Sequence, residues 1–319
     1  MLRKRDDSSV FQALTRREVL LAGAGLALEG CRRSPPPEAA LPAEAGSPPP
    51  AGGAWRVLAF PPAPDYPEGE QAQLLVPDAP ASSPILIALH GRGEAGKSLA
   101  IGAGAWPREY EVDRLHSRLL APPLTGADLQ DMFSEARLAR LNASLSAAAY
   151  KGLSVACPAT PVLADRSVEG VRAFARFVLE ALLPRVREEI GVAADRAATG
   201  IDGVSMGGRI ALFVGLTHPE VFGAVGALQP AITVEEAPLI SELARAAMAR
   251  ASVLLRLVSS DADPYLPAVR AASERLSRDG VVHELLVVPG NHGYEFNRGP
   301  GGAEMLLWHE RVQRGLKAP

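Results

Sequence analysis

The sequence predicts an α/β fold: a mostly parallel central sheet with helices on both faces. Three observations carry this. Short apolar runs recur after Gly53, at 85–89, 153–157, 197–204, 223–228, 253–258 and 284–288. Helix-length segments separate several of them, the clearest being 167–190, where Val171, Phe174, Val178 and Leu182 recur at helical spacing. The run Ile85-Leu86-Ile87-Ala88-Leu89 has no polar alternation, as expected of a strand covered on both faces. Strands alternating with helices give a parallel sheet, and such sheets gather reactive groups on loops at the carboxyl ends of the strands.

Length and composition agree with one large catalytic or binding domain. The chain has 319 residues, 47% of them apolar, and a net charge of −3 with no basic footprint for nucleic acid. Its two cysteines, Cys31 and Cys157, are too few for a disulfide framework. Cys157 falls in an apolar run and reads as an inert core thiol. No His/Cys cluster has metal-ligand spacing, so neither a metal nor another cofactor is expected. Gly93-Glu94-Ala95-Gly96-Lys97-Ser98 imitates the end of a phosphate-binding loop without its glycine spacing.

The first 31 residues read as an address. Arg3, Lys4 and Arg5 precede Thr15-Arg16-Arg17-Glu18-Val19-Leu20-Leu21 and a short Ala/Gly/Leu run that is too short to span a bilayer. The Arg-Arg segment resembles the bacterial twin-arginine signal, and Leu28-Glu29-Gly30-Cys31 resembles the lipobox of bacterial lipoproteins. These resemblances imply export to the periplasm or cell envelope and a lipid anchor at Cys31. Residues 32–54, with two Pro-Pro-Pro runs, read as an extended linker, and 55–319 as the catalytic domain.

Within that domain, 264–278 reads as a helix and 92–152 is long for one connection. The latter is expected to hold a helix at 129–149 and a wall of the active site. Pro184 is expected to break or kink the helix at 167–190.

Gly203-Val204-Ser205-Met206-Gly207-Gly208 contains Gly-x-Ser-x-Gly between a predicted strand and a predicted helix at 209–217. That is the setting of a nucleophile elbow, a turn so tight that side chains at 203 and 207 would collide with neighbouring backbone. Ser205 is the candidate nucleophile. Among six histidines, only His292 occupies a short loop directly after the last predicted strand, Pro289-Gly290-Asn291-His292-Gly293. The stretch Ser259-Ser260-Asp261-Ala262-Asp263-Pro264 offers two acids, Asp261 and Asp263. Asp263 could instead serve as N-cap of the helix that Pro264 opens.

Gly-Val-Ser-Met-Gly-Gly, His90-Gly91-Arg92-Gly93, Asp263-Pro264-Tyr265 and His292 together resemble α/β-hydrolase esterases, especially the esterase D-like branch, over about residues 55–316. The resemblance implies the chain order Ser…Asp…His for a triad, with His292 as base. It favours Asp263 as acid, since the family's acid precedes a Pro or small residue and then an aromatic. It also implies an oxyanion hole from the backbone N–H groups of Met206 and Arg92. The implied activity is hydrolysis of a small-molecule carboxylic ester through an acyl-enzyme. A thioesterase, peptidase or acyltransferase would use the same triad, and a non-catalytic binding lipoprotein could share the scaffold. Neither the substrate nor the oligomeric state is legible.

Overall fold

The computed structural model describes residues 53–319. The signal-like segment, Cys31 and nearly all of the linker lie outside them. The apolar run at 85–89 is buried throughout and divides by parity. Ile85, Ile87 and Leu89 enter one apolar layer, Leu86 and Ala88 the other. This two-sided burial is what an uninterrupted apolar strand requires.

The sheet has eight strands: β1 (Gly53–Phe60), β2 (Glu70–Pro77), β3 (Ile85–Leu89), β4 (Ser154–Pro158), β5 (Thr199–Gly203), β6 (Ala224–Leu228), β7 (Leu254–Ser260) and β8 (Glu284–Val288). Their spatial order is β1-β2-β4-β3-β5-β6-β7-β8. From β4 to β8 every pairing is parallel. The six apolar runs therefore form the parallel part, as their sequence indicates. β1 and β2 pair antiparallel with each other, and β2 pairs antiparallel with β4. The sequence did not announce them. β1 is an edge strand with much of both faces toward solvent, so it lacks a clean alternation.

Between β3 and β4 lie α1 (Leu99–Ala103), α2 (Val112–Leu120) and α3 (Glu135–Ala147). The expected helix at 129–149 is shorter than its sequence suggested. Gln130 and Asp131 take positive φ and break the chain, and Ser134 caps α3 by accepting from Arg137 N. After β4, α4 (Arg172–Arg176) continues through a π turn at Phe177–Leu182 into α5 (Leu183–Ile190). The break expected at Pro184 does not occur. The backbone on both sides stays right-handed helical, and the helix widens into the π turn at Phe177–Leu182 just before Pro184.

The remaining helices are α6 (Met206–Thr217), α7 (Ala237–Arg250), α8 (Leu266–Arg278), one-turn α9 (Tyr294–Phe296) and α10 (Gly302–Gln313). α8 begins two residues later than expected from Pro264. α4 to α8 build the apolar layer on one face of the sheet, and α2, α3 and α10 build the other. α10 is also tied down by charge. Buried Glu304 accepts from Arg137 of α3 at 2.6 and 2.5 Å and from Arg256 of β7 at 2.7 Å. Among the described residues, no helix is long and apolar enough to cross a membrane.

Candidate active site

The turn from β5 into α6 places Ser205 above the carboxyl end of the sheet. Ser205 has φ 55° and ψ −116°, a conformation that L residues rarely adopt and that only a supporting structure maintains. The support is tight. A Cβ at Gly207 would lie 2.5 Å from the carbonyl oxygens of both Leu89 and His90, and one at Gly203 would lie 2.6 Å from the backbone of Gly207. Only glycine at 203 and 207 permits this turn, as the elbow pattern required. Ser205 N donates to Leu228 O at 2.9 Å and Ala231 N to Ser205 O at 2.9 Å, which locks the turn onto the end of β6.

His292 Nε2 lies 3.0 Å from Ser205 Oγ, and His292 Nδ1 lies 2.9 Å from Asp263 Oδ1. An ionised carboxylate can only accept, so Nδ1 carries the proton of the neutral ring and Nε2 is left to accept from the serine hydroxyl. Asp263 is buried, and its oxygens accept two further bonds, from Tyr265 N at 3.0 Å and Ser259 Oγ at 2.6 Å. The two readings of Asp263 are thus not exclusive. It faces His292 and also receives the Tyr265 N–H at the entry to α8. Asp261 points elsewhere: its Oδ1 accepts from Gly290 N at 3.0 Å. The loop of His292 is fixed further by Gln229, which donates to Asn291 O at 2.7 Å and Ser260 Oγ at 2.6 Å.

The other histidines are otherwise engaged. His90 is buried; its Nδ1 lies 2.7 Å from Gly91 O and its Nε2 accepts from Thr160 N at 2.7 Å, which fixes the proton on Nδ1. Burial pushes its pKa down, keeping it neutral. His90 thereby ties the loop after β3 to the loop after β4. His309 is buried against Asp202 at 3.1 Å, away from the serine. His283 bonds Ser273, His218 bonds Val214 O, and His116 lies buried beside Tyr150. Cys157 is buried and its thiol is pushed far up by that burial, as an inert core thiol should be.

Met206 opens α6, so its N–H has no acceptor within the helix, and the residue lines the space beside Ser205. Arg92 lines the same space. Behind Arg92 stands an arrangement the sequence reading missed. Glu94 is buried and accepts from Tyr110 Oη at 2.8 Å and from Tyr294 Oη at 2.5 Å. Tyr110 Oη in turn accepts from Gly91 N at 3.2 Å. The hydrogen bond to Glu94 pushes the Tyr294 phenol up to about 12, and burial, then Glu94, raises that of Tyr110 still further, so both remain donors. Glu94 thus clamps 91–94, α9 and the excursion together. Tyr110 and Tyr294 both line a cavity of about 300 Å³ with Ser205 and His292, so the excursion does supply a wall of the site. Only the position of Tyr294, two residues after His292, hinted at its role.

Among the described residues, no cluster of His, Cys, Asp or Glu has the arrangement of a metal site.

Comparison with known proteins places this geometry. The sequence model of the family described as "Putative esterase" matches residues 148–291, a span that includes Ser205 and Asp263 and ends one residue before His292. A search of curated protein sequences finds no match. Among solved structures, a ferulic acid esterase superposes with a TM-score of 0.59 at 15% identity, over 82% of this chain and 99% of the other. The S-formylglutathione hydrolase of Staphylococcus aureus gives 0.53 at 16% identity, over 82% and 97%. Fluorophosphonate-binding serine hydrolase F of the same organism gives 0.54 at 15% identity, over 83% and 97%. The chain has the α/β-hydrolase fold, and with the family match over 148–291 this supports an esterase-type hydrolase.

Proposed function

We propose that the protein hydrolyses a small carboxylic ester through an acyl-enzyme on Ser205. The observation that carries this is the hydrogen-bonded chain Ser205–His292–Asp263, at 3.0 and 2.9 Å. Ser205 Oγ attacks the ester carbonyl carbon while His292 Nε2 takes its proton. The tetrahedral oxyanion is met by the N–H groups of Met206 and Arg92, each worth about 3 kcal/mol by analogy with measured oxyanion donors. As the carbonyl re-forms, the C–O bond to the alcohol breaks and His292 returns the proton to it. Water, deprotonated by His292, then attacks the acyl-serine and releases the acid and Ser205. Asp263 holds the imidazole in the required tautomer and stabilises its charged form.

The test is twofold. A fluorophosphonate should label the protein at Ser205, and Ser205→Ala should abolish both labelling and 4-nitrophenyl ester hydrolysis while leaving the circular dichroism spectrum unchanged. Near-normal turnover in Ser205→Ala would remove the assignment, and an unlabelled Ser205 would favour a binding protein on a hydrolase scaffold. A parallel panel of thioester and peptide substrates separates the other chemistries open to the same triad.

We also propose that residues 1–31 direct export and that Cys31 anchors the domain to a membrane through the 32–54 linker. The order of charged segment, apolar run and cysteine in the sequence supports this. Cys31→Ser should move the protein from the membrane to the soluble fraction or leave it unprocessed; an unlipidated mature N-terminus elsewhere would refute the anchor.

A further inference from the structure

We propose that the ester carries an anionic group, such as a carboxylate, on its acyl half, and that Arg92 and Arg166 hold it. This rests on the reading of Ser205 as the nucleophile of an ester hydrolase. Two cavities meet at Ser205. The one of about 300 Å³ contains His292, Tyr110 and Tyr294. The other, about 350 Å³, lies on the Met206 side and includes Arg166 and Arg209 together with Leu163, Ile210 and Tyr265, while Arg92 lines both cavities. No Asp or Glu lines the second cavity.

The three arginines are not equivalent. Arg209 is buried and neutralised: it pairs with Glu236 at 2.8 and 2.5 Å and lies over the Phe213 ring at 4.4 Å. Its remaining reach goes to the Arg166 carbonyl, which anchors the backbone there. Arg166 has no carboxylate partner among the described residues. It donates one bond, from Nη2 to Ala231 O at 3.0 Å, and Ala231 N is the group bonded to Ser205 O at 2.9 Å. Arg166 is thereby held one residue from the nucleophile's own backbone, with most of its donors free. The Arg92 side chain has no hydrogen bond or ion pair among the described residues, and it follows Gly91, where a Cβ would be 3.7 Å from Ser205 Cβ. Two unneutralised guanidinium groups at the mouth of a partly apolar cavity make a receptor for an anion on a short carbon chain.

The division of the substrate follows from proton transfer. His292 must pass its proton to the leaving alcohol, so the alcohol occupies the cavity that His292 lines. The acyl chain takes the other, and the anion at its far end meets Arg92 and Arg166.

The experiment compares mono-4-nitrophenyl adipate with 4-nitrophenyl hexanoate, which share chain length and leaving group, on the full-length protein. The adipate ester should have the higher kcat/KM, by about tenfold at low salt, and the preference should shrink as salt screens the partly exposed charges. Arg166→Gln and Arg92→Gln should each cut the adipate-to-hexanoate ratio about threefold, the scale of a solvent-exposed pair, with Arg166→Lys keeping part of it. Equal or better turnover of hexanoate, or a ratio unmoved in both arginine variants, overturns the proposal. So does a preference for 4-carboxyphenyl hexanoate, which would put the anion on the alcohol side. Hydrolysis of hexanoate without discrimination leaves the esterase reading intact and removes only the subsite. If no ester is hydrolysed, calorimetric binding of free adipate against hexanoate reads the subsite by itself, and equal binding overturns it.

Discussion

Asp261 accepts a hydrogen bond from Gly290 N at 3.0 Å and so holds the loop of His292 without touching the imidazole. Two residues later, Asp263 receives the ring itself. The spacing has a simple cause. Ser260 ends β7, and the turn that follows points alternate side chains toward different parts of the β8 loop. Asp263→Asn should keep stability within about 1 kcal/mol, because Asn can still accept from Tyr265 N as a cap does. Its turnover should nevertheless fall on the order of 10²–10⁴-fold, since an amide cannot orient and stabilise the imidazolium. Asp261→Asn should change turnover only slightly, as its amide oxygen can still accept from Gly290 N. Steady-state kcat of the two variants decides; the reverse pattern would transfer the acid role to Asp261.

Glu94 predicts a second, milder effect at a distance from the chemistry. Tyr110→Phe removes the acceptor of the Gly91 N–H and one donor of Glu94. The loop carrying Arg92 should loosen, lowering kcat about tenfold, the equivalent of about 1.4 kcal/mol, with KM changing less. Tyr294→Phe should act in the same direction, since it removes the other donor. A change confined to KM would mean that these tyrosines bind substrate rather than position the loop.

Glu304 predicts a stability effect without a catalytic one. Burial alone would raise its carboxyl, but the charges and hydrogen bonds of Arg256 and Arg137 outweigh that and hold it below the ordinary carboxylate range. Its contribution is therefore present at neutral pH and is lost only as pH falls through that depressed value. Glu304→Ala leaves Arg137 without its carboxylate and Arg256 with only Glu284, 3.2 Å from its Nε, and should cost about 3–5 kcal/mol in urea unfolding. A loss under 1 kcal/mol would show that water or Glu284 compensates.

Glu70 predicts the opposite pH dependence. It opens β2, and burial raises its carboxyl from 4.5 to about 7; its Oε2 has no hydrogen-bond partner. The folded chain thus keeps a proton that the unfolded chain gives up. The part of the stability that depends on Glu70 should be greatest below about pH 4.5, decline as pH rises toward 7, and level off above it. Partial exposure limits the effect to about 1–2 kcal/mol. Glu70→Gln should flatten this part of the Tm–pH curve; a wild-type curve already flat between pH 5 and 7 would refute the assignment.

The sequence by itself determined the parallel half of the sheet and the position of the elbow. Six short, mostly apolar runs, Ile85–Leu89 the clearest, are buried only between two layers, and at 203 and 207 only glycine lets the turn around Ser205 close against its neighbours. It likewise marked His292 by its place after the last strand. Tertiary structure decided the rest. Asp261 and Asp263 lie two residues apart in one turn; the Pro-Tyr after Asp263 favoured it by resemblance, and the path of the loop after β8 brings the imidazole to it. Glu94 finds Tyr294 200 residues away, and Arg137 finds Glu304 across 167. Such partners leave no periodic trace, because a single polar contact is fixed by where packed elements bring two side chains, not by the neighbours of either along the chain. β1 and the true start of α3 escaped for a related reason, whereas β2 is an interior strand whose apolar run is only three residues long, Leu74-Leu75-Val76. An edge strand exposes both kinds of residue, and the break before Ser134 depends on two exposed residues at positive φ, Gln130 and Asp131, in a turn whose N–H groups bond Ala127 O and Gly126 O.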